Sequence, residues 1–174
     1  MTQMSKAKTI FNLFFKATGH IDQKAFVIGV VGLFVFVEVM KYVFRVMPVS
    51  LWEFWLVIIY LPLVLYMICC VYGKRLHDIG RSWWPLTGAF TLEFLAAIGV
   101  MMAYGGVEYF EAFAQYDRKA EIDPVLRDTI IAEYQATQAA NIVPISIILL
   151  IVPIGLTLWL AITKPKIDGN PYRK

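Results

Sequence analysis

Lys74-Arg75-Leu76-His77-Asp78-Ile79-Gly80-Arg81-Ser82-Trp83-Trp84-Pro85 is a dense polar stretch set between two long apolar runs. Its meaning depends on its flanks. Of the 174 residues, 59% are hydrophobic and 17% charged, against about a quarter charged in soluble domains. The apolar residues gather into four runs, about 25–44, 51–72, 83–104 and 142–163. Each is close to the ~20 residues that a helix needs to cross ~30 Å of hydrocarbon. The expected fold is all-α: a polytopic membrane protein built as one four-helix bundle over residues 1–174, with no internal repeat.

Orientation follows from the lysines and arginines. Lys6, Lys8, Lys16 and Lys24 precede the first run; Lys74, Arg75 and Arg81 lie in the 73–82 loop; Lys164, Lys166, Arg173 and Lys174 end the chain. That is eleven on one side, against five (Lys41, Arg45, Arg118, Lys119, Arg127) on the other. Both termini are therefore expected in the cytoplasm. The net charge of +3 hides a second asymmetry, because 106–140 carries seven acids, Asp117 and Glu121 among them, against three bases. The basic face suits anionic lipid headgroups, and its cations are too few and too tied to helix ends for nucleic acid. A cleavable leader is not expected: the first run starts about 24 residues in, and Glu38, Lys41 and Arg45 stand where a small-residue cleavage pattern would lie.

Along the chain, Ile10, Phe11, Phe14 and Phe15 among Lys6, Lys8 and Lys16 predict a helix over 6–17 lying in the headgroup plane. Asp22 is placed to cap the first span, in which Gly29 and Gly32 permit close approach of a neighbour. Glu38 lies about two thirds of the way across, where a lone acid costs ~2.5 to 3.5 kcal/mol, so pairing with Lys41 or Arg45 on the same face is expected. Pro62 and Pro153 fall inside the second and fourth spans. Glu93 is ten residues past Trp83, about 15 Å deep at 1.5 Å per residue. Ala89, Glu93 and Ala97 share a face that Gly99 and Ala103 extend, which would turn the acid inward. It then either hydrogen-bonds as a protonated group or lines a path for a proton or cation.

Gly105-Gly106 closes the third helix, and the outer loop reads as two amphipathic helices. Phe110, Phe113 and Asp117 mark the first; Asp123 with Pro124 opens the second, whose stripe is Leu126, Ile130 and Tyr134. These stripes must bury themselves against the bundle or a partner protein. Cys69 and Cys70 have no metal-ligand spacing and read as buried free thiols; no metal or cofactor is implied.

In the polar stretch itself, Leu76 and Ile79 should dip inward while Lys74, Arg75 and Arg81 face the headgroups. Asp78 can pair with Arg75 or Arg81, Gly80 permits a tight turn, and Ser82 can cap the third span. A functional reading places Lys74, Arg75, His77 and Arg81 around a lipid phosphate or other anion, with His77 titrating near neutrality. His77 and Asp78 have no nucleophile or metal cluster beside them, which argues against an enzyme.

The run Arg75–Trp84 resembles the signature of the domain-of-unknown-function 805 family, small bacterial inner-membrane proteins. The family's amino-terminal Gly-Arg-x-x-Arg-x-x-[Phe/Tyr]-Trp run is represented by Gly19, Lys24 and Phe26, with His20, Gln23 and Val27 as departures. Asp168-Gly169-Asn170-Pro171-Tyr172 is similar to its Gly-x-Asn-x-Tyr-Gly ending. The resemblance implies a four-span inner-membrane protein without an assigned activity. Two functional expectations follow: a non-enzymatic protein binding lipid headgroups or partners, as an accessory subunit of a membrane complex, or a small transporter or channel subunit using Glu93.

Overall fold

The computed structural model of the chain describes residues 10–48, 50–116 and 122–172. Lys6, Lys8, Asp117, Arg118, Lys119, Glu121, Arg173 and Lys174 lie outside the described residues. The chain is all-α, and four helices are long and apolar enough to cross a membrane: Gln23–Val46, Leu51–Asp78, Trp84–Ala114 and Ile142–Ile162. It is a polytopic membrane protein. The helices are α1 (Gln23–Val46), α2 (Leu51–Asp78), α3 (Trp84–Met101), α4 (Val107–Ala114), α5 (Pro124–Ala140) and α6 (Ile142–Ile162). The chain divides into two compact units, Met1–Thr87 with Thr157–Lys174 and Gly88–Leu156, so that α3 and α6 each contribute to both.

In the first unit, residues 10–15 form a short helix; of the segment expected to be helical over 6–17, residues 6–9 lie outside the described residues and residues 16 and 17 are not helical. Asp22 then caps α1, its Oδ1 accepting from Ala25 N at 2.7 Å. Phe26, Gly29 and Leu33, at i, i+3 and i+7, are the buried face of α1, while Val27, Ile28, Val31 and Phe34 stay exposed, as lipid-facing residues of a spanning helix must. A methyl group on Gly29 would lie 2.9 Å from Val71 Cγ1 of α2. The missing side chain is what lets these two helices meet.

Helix α2 opens at Ser50, whose Oγ accepts from Glu53 N, and it runs through Pro62 for 28 residues. At 1.5 Å per residue that is about 42 Å, roughly two turns more than the hydrocarbon requires. Lys74–Asp78 falls within that surplus. This corrects the expectation of a loop over 73–82: the polar residues are the last turn and a half of a helix. The turn proper starts at Gly80, whose φ of +73° is available to glycine without strain. Gly80 N donates to His77 O and Arg81 N to Leu76 O, the two bonds of a Schellman ending. Helix α3 then begins at Trp84, with the Trp83 carbonyl accepting its first bonds from Leu86 N and Thr87 N. Trp83 is thus the cap residue, and Ser82 stands one position too early for the capping role expected of it.

Along α3, whose first turn lies in the first unit, Leu86 and Val100 are buried and Ala89, Glu93 and Ala96 are half-buried. Ala97, Gly99 and Ala103 are exposed, and a methyl on Gly99 would meet nothing within 4 Å. The small-residue stripe therefore does not pack as expected: a helix turns 100° per residue, and the 3.6-residue face chosen by the buried Leu86 and Val100 passes through Ala96 instead of Ala97. After Met101 the backbone widens into a π-type segment, Met102–Gly106, in which Tyr104 (φ −115°, ψ 57°) and Gly105 (φ 94°, ψ 1°) leave helical geometry. A Cβ on Gly106 would sit 2.3 Å from Met101 O, so the Gly105-Gly106 pair ends the helix as its sequence implied.

Helices α4 and α5 follow, the latter capped by Asp123 Oδ1 accepting from Val125 N at 3.1 Å, with Pro124 at its first position. Tyr109 of α4 stacks obliquely on Tyr134 of α5, ring centroids 5.0 Å apart. Gln138 Nε2 donates to Tyr104 O, tying α5 to the π-type segment. The predicted stripe is only partly buried. Ile130 and Tyr134 are half-buried, whereas Leu126 is exposed.

Candidate functional site

The end of α2 collects the residues singled out as a possible anion site, but it does not gather them around one cavity. Neighbours on a helix project about 100° apart, and Lys74 and Arg75 accordingly reach in different directions. Lys74 Nζ donates to Asn12 O at 2.7 Å and to Leu13 O, the carbonyls that end the short helix at 10–15. Arg75 Nε donates to Leu160 O at 3.0 Å, Nη2 to Thr163 O, and Nη1 to the Asp78 carboxylate. The lysine is 3% exposed and the arginine 0%. Neither faces the headgroups, contrary to the sequence expectation.

The physical reason is the unsatisfied carbonyls at helix ends. The last four C=O groups of α6 have no intrahelical partner, and within a membrane protein they have little water to turn to. Here the end of α6 is served from two sides. Gln23 Nε2 donates to Ala161 O at 3.1 Å, to Ile162 O at 3.4 Å and to Thr163 O at 3.3 Å, while Arg75 takes Leu160 O and Thr163 O. A guanidinium placed there also meets the negative end of the helix dipole. Lys74 does the same for the entry helix, aided by Tyr66, whose hydroxyl donates to Phe15 O at 2.8 Å.

The carboxyl end of α2 is covered by the tail. Asn170 Nδ2 donates to His77 O (2.8 Å), Asp78 O (3.1 Å) and Lys166 O (3.0 Å), and Lys166 N donates to Asp78 O. The His77 ring lies flat on Tyr172, centroids 4.4 Å apart and planes 10° apart, and edge-on to Trp83. Asp78 is 1% exposed and bonded to Arg75. The Arg75–Asp78 pairing and the inward burial of Leu76 and Ile79 agree with the sequence reading. His77 and Asp78 do not act as a dyad, since one faces the tail and the other Arg75. Arg81 alone of the four predicted cations remains exposed.

Gln23, Lys166, Asn170 and Tyr172 are the partners that sequence reasoning missed. Asn170 and Tyr172 stood inside a recognisable motif, the Gly-x-Asn-x-Tyr ending. Gln23 was visible only as a departure from an arginine, yet it fills a donor role that an arginine could also fill.

The two membrane acids differ. Glu38 pairs with Lys41 at 2.7 Å in an exposed i,i+3 contact. Glu93 is half-buried on α3, and its Oε2 is buried with no hydrogen-bond partner among the described residues. Cys70 is buried and Cys69 half-buried, both free thiols. Among the described residues no three His, Cys, Asp or Glu side chains converge as metal ligands. The chain matches no family model, no curated protein and no solved structure.

Proposed function

We propose that this multi-pass protein is a non-enzymatic protein of the bacterial inner membrane, oriented with both termini in the cytoplasm, whose cationic end holds anionic lipid headgroups. On this reading it is an accessory subunit of a larger membrane complex, with the acidic 106–140 region turned outward to a partner protein. The resemblance of Arg75–Trp84 to the domain-of-unknown-function 805 family belongs to the same proposal.

One observation supports the lipid reading. Lys16, Lys24, Arg81, Lys164 and Lys166 are exposed around the α2–α6 junction and have no ion pair among the described residues, with only Asp22 and Asp168 as exposed acids nearby. Each such cation near a membrane surface contributes about 1 kcal/mol toward anionic lipid. The headgroup role thus passes from Lys74 and Arg75 to their exposed neighbours. Native mass spectrometry of the protein released from nanodiscs of mixed phosphatidylglycerol and phosphatidylcholine tests it. Preferential retention of phosphatidylglycerol, reduced several-fold in the triple variant Lys24→Gln, Arg81→Gln, Lys166→Gln, is the expected result; equal retention of both lipids rejects the proposal.

Glu93 Oε2, buried and without a hydrogen-bond partner among the described residues, favours a second reading, a small transporter or channel subunit. Proteoliposomes would then carry a proton or cation flux that Glu93→Gln abolishes. Absence of flux, or flux indifferent to that substitution, removes this alternative.

A further inference from the structure

The second unit contains a cavity of about 440 Å³ between the π-type segment, α4 and α5. That is the size of a small-molecule site. Its walls carry three tyrosines (Tyr104, Tyr109, Tyr134) and two glutamates (Glu108, Glu133), with no lysine or arginine among the described residues.

The arrangement arises from a repeated dipeptide. Glu108-Tyr109 is carried by α4 and Glu133-Tyr134 by α5, and the two rings meet at 5.0 Å and 45°. Both carboxylates are solvent-exposed, and neither makes an ion pair among the described residues. The frame around them is fixed. Gly105, at φ +94°, brings the backbone so close to α5 that a Cβ there would meet Thr137 at 3.3 Å and Tyr134 at 3.4 Å. The Gln138 bond to Tyr104 O locks the same approach.

We infer that the paired Glu-Tyr walls of this cavity bind a small organic ammonium ion. Carboxylates supply the charge, and the tyrosine faces supply the electron-rich surface that attracts an alkylammonium group while burying its methylenes. A bare metal ion fits less well, since hard divalent cations take six or more oxygen ligands and, among the described residues, two carboxylates line this cavity and no three His, Cys, Asp or Glu side chains converge. The pre-set frame means that little ordering cost accompanies binding. The inference is independent of lipid binding at the α2–α6 junction, which uses none of these residues.

Isothermal titration calorimetry of the purified full chain in detergent, with spermidine as the probe, tests this. Saturable binding with a dissociation constant below about 1 mM at ~0.15 M salt is the expected result. It should weaken about tenfold or more in the double variant Glu108→Gln, Glu133→Gln. Ala112→Leu, which fills the cavity without altering its charge, should weaken it comparably and serves as the independent variant if the double one is poorly folded. Absence of saturation overturns the inference. So does binding that survives Ala112→Leu undiminished, because it would then belong to the acidic surface alone.

Discussion

The end of α2 and the cavity beside α4 both concentrate charge, but they use it in different ways. At the first, Lys74, Arg75 and Asp78 are buried, and their hydrogen-bonding capacity goes into helix-end carbonyls and one another. At the second, Glu108 and Glu133 stay exposed and make no ion pair among the described residues, with tyrosine rings beside them. A buried charge that satisfies backbone groups holds a fold together; an exposed charge on a preformed wall is available to a ligand. Charge in a sequence does not by itself distinguish these cases, and the partner atoms do.

The contrast breaks most visibly at Arg75. Replacing it with methionine keeps much of the volume but leaves the Asp78 carboxylate buried without its cation, removes the Arg75 donor from Leu160 O, and leaves Thr163 O with the Gln23 amide alone. Removing one member of a buried pair costs about 3 to 5 kcal/mol, the largest effect expected anywhere in this chain. Unfolding of the purified variant in mixed detergent micelles, followed by helical circular dichroism, measures it. A double-mutant cycle with Asp78→Asn should recover part of the loss, since the stranded charge is then gone. Should Arg75→Met lose less than about 1 kcal/mol, the guanidinium is dispensable to the fold, and a headgroup role for it becomes tenable again.

The α2 end differs from its sequence expectation for a physical reason. The four spans were legible to within a few residues at most boundaries, because about 20 apolar residues in a row have one stable disposition in lipid. The caps at Asp22 and Asp123 were legible too, since each precedes a helix whose first N–H groups need an acceptor. Membrane helices, however, are apolar all round, so hydrophobic periodicity does not say which face is buried. That is why the Ala89–Ala97 stripe was assigned to a packing surface and Gly99 turned out to be exposed. The usual preference of cations for water predicts Lys74 and Arg75 facing headgroups. What overrides that preference is a set of orphan carbonyls at Asn12, Leu13, Leu160 and Thr163, and only the tertiary fold places these beside them. The Glu-Tyr cavity was hidden for a different reason: its two halves lie 25 residues apart on separate helices, with nothing local to pair them.

The smallest effect sharpens the comparison from the other side. Glu108 and Glu133 are exposed, make no ion pair among the described residues, and sit on helices whose ends are held by other groups, Gly105 and Gln138 on one side and Asp123 on the other. Glutamine has nearly the same shape and helix propensity as glutamate, so neither packing nor backbone preference changes. Each substitution should therefore shift unfolding by no more than about 0.5 kcal/mol, and the pair together should add, because solvated carboxylates couple weakly. The same circular dichroism unfolding in mixed micelles reads both this and the Arg75 series. A loss above about 1.5 kcal/mol for the double variant would mean that these acids brace α4 against α5, and the distinction between structural charge at α2 and available charge at the cavity would disappear.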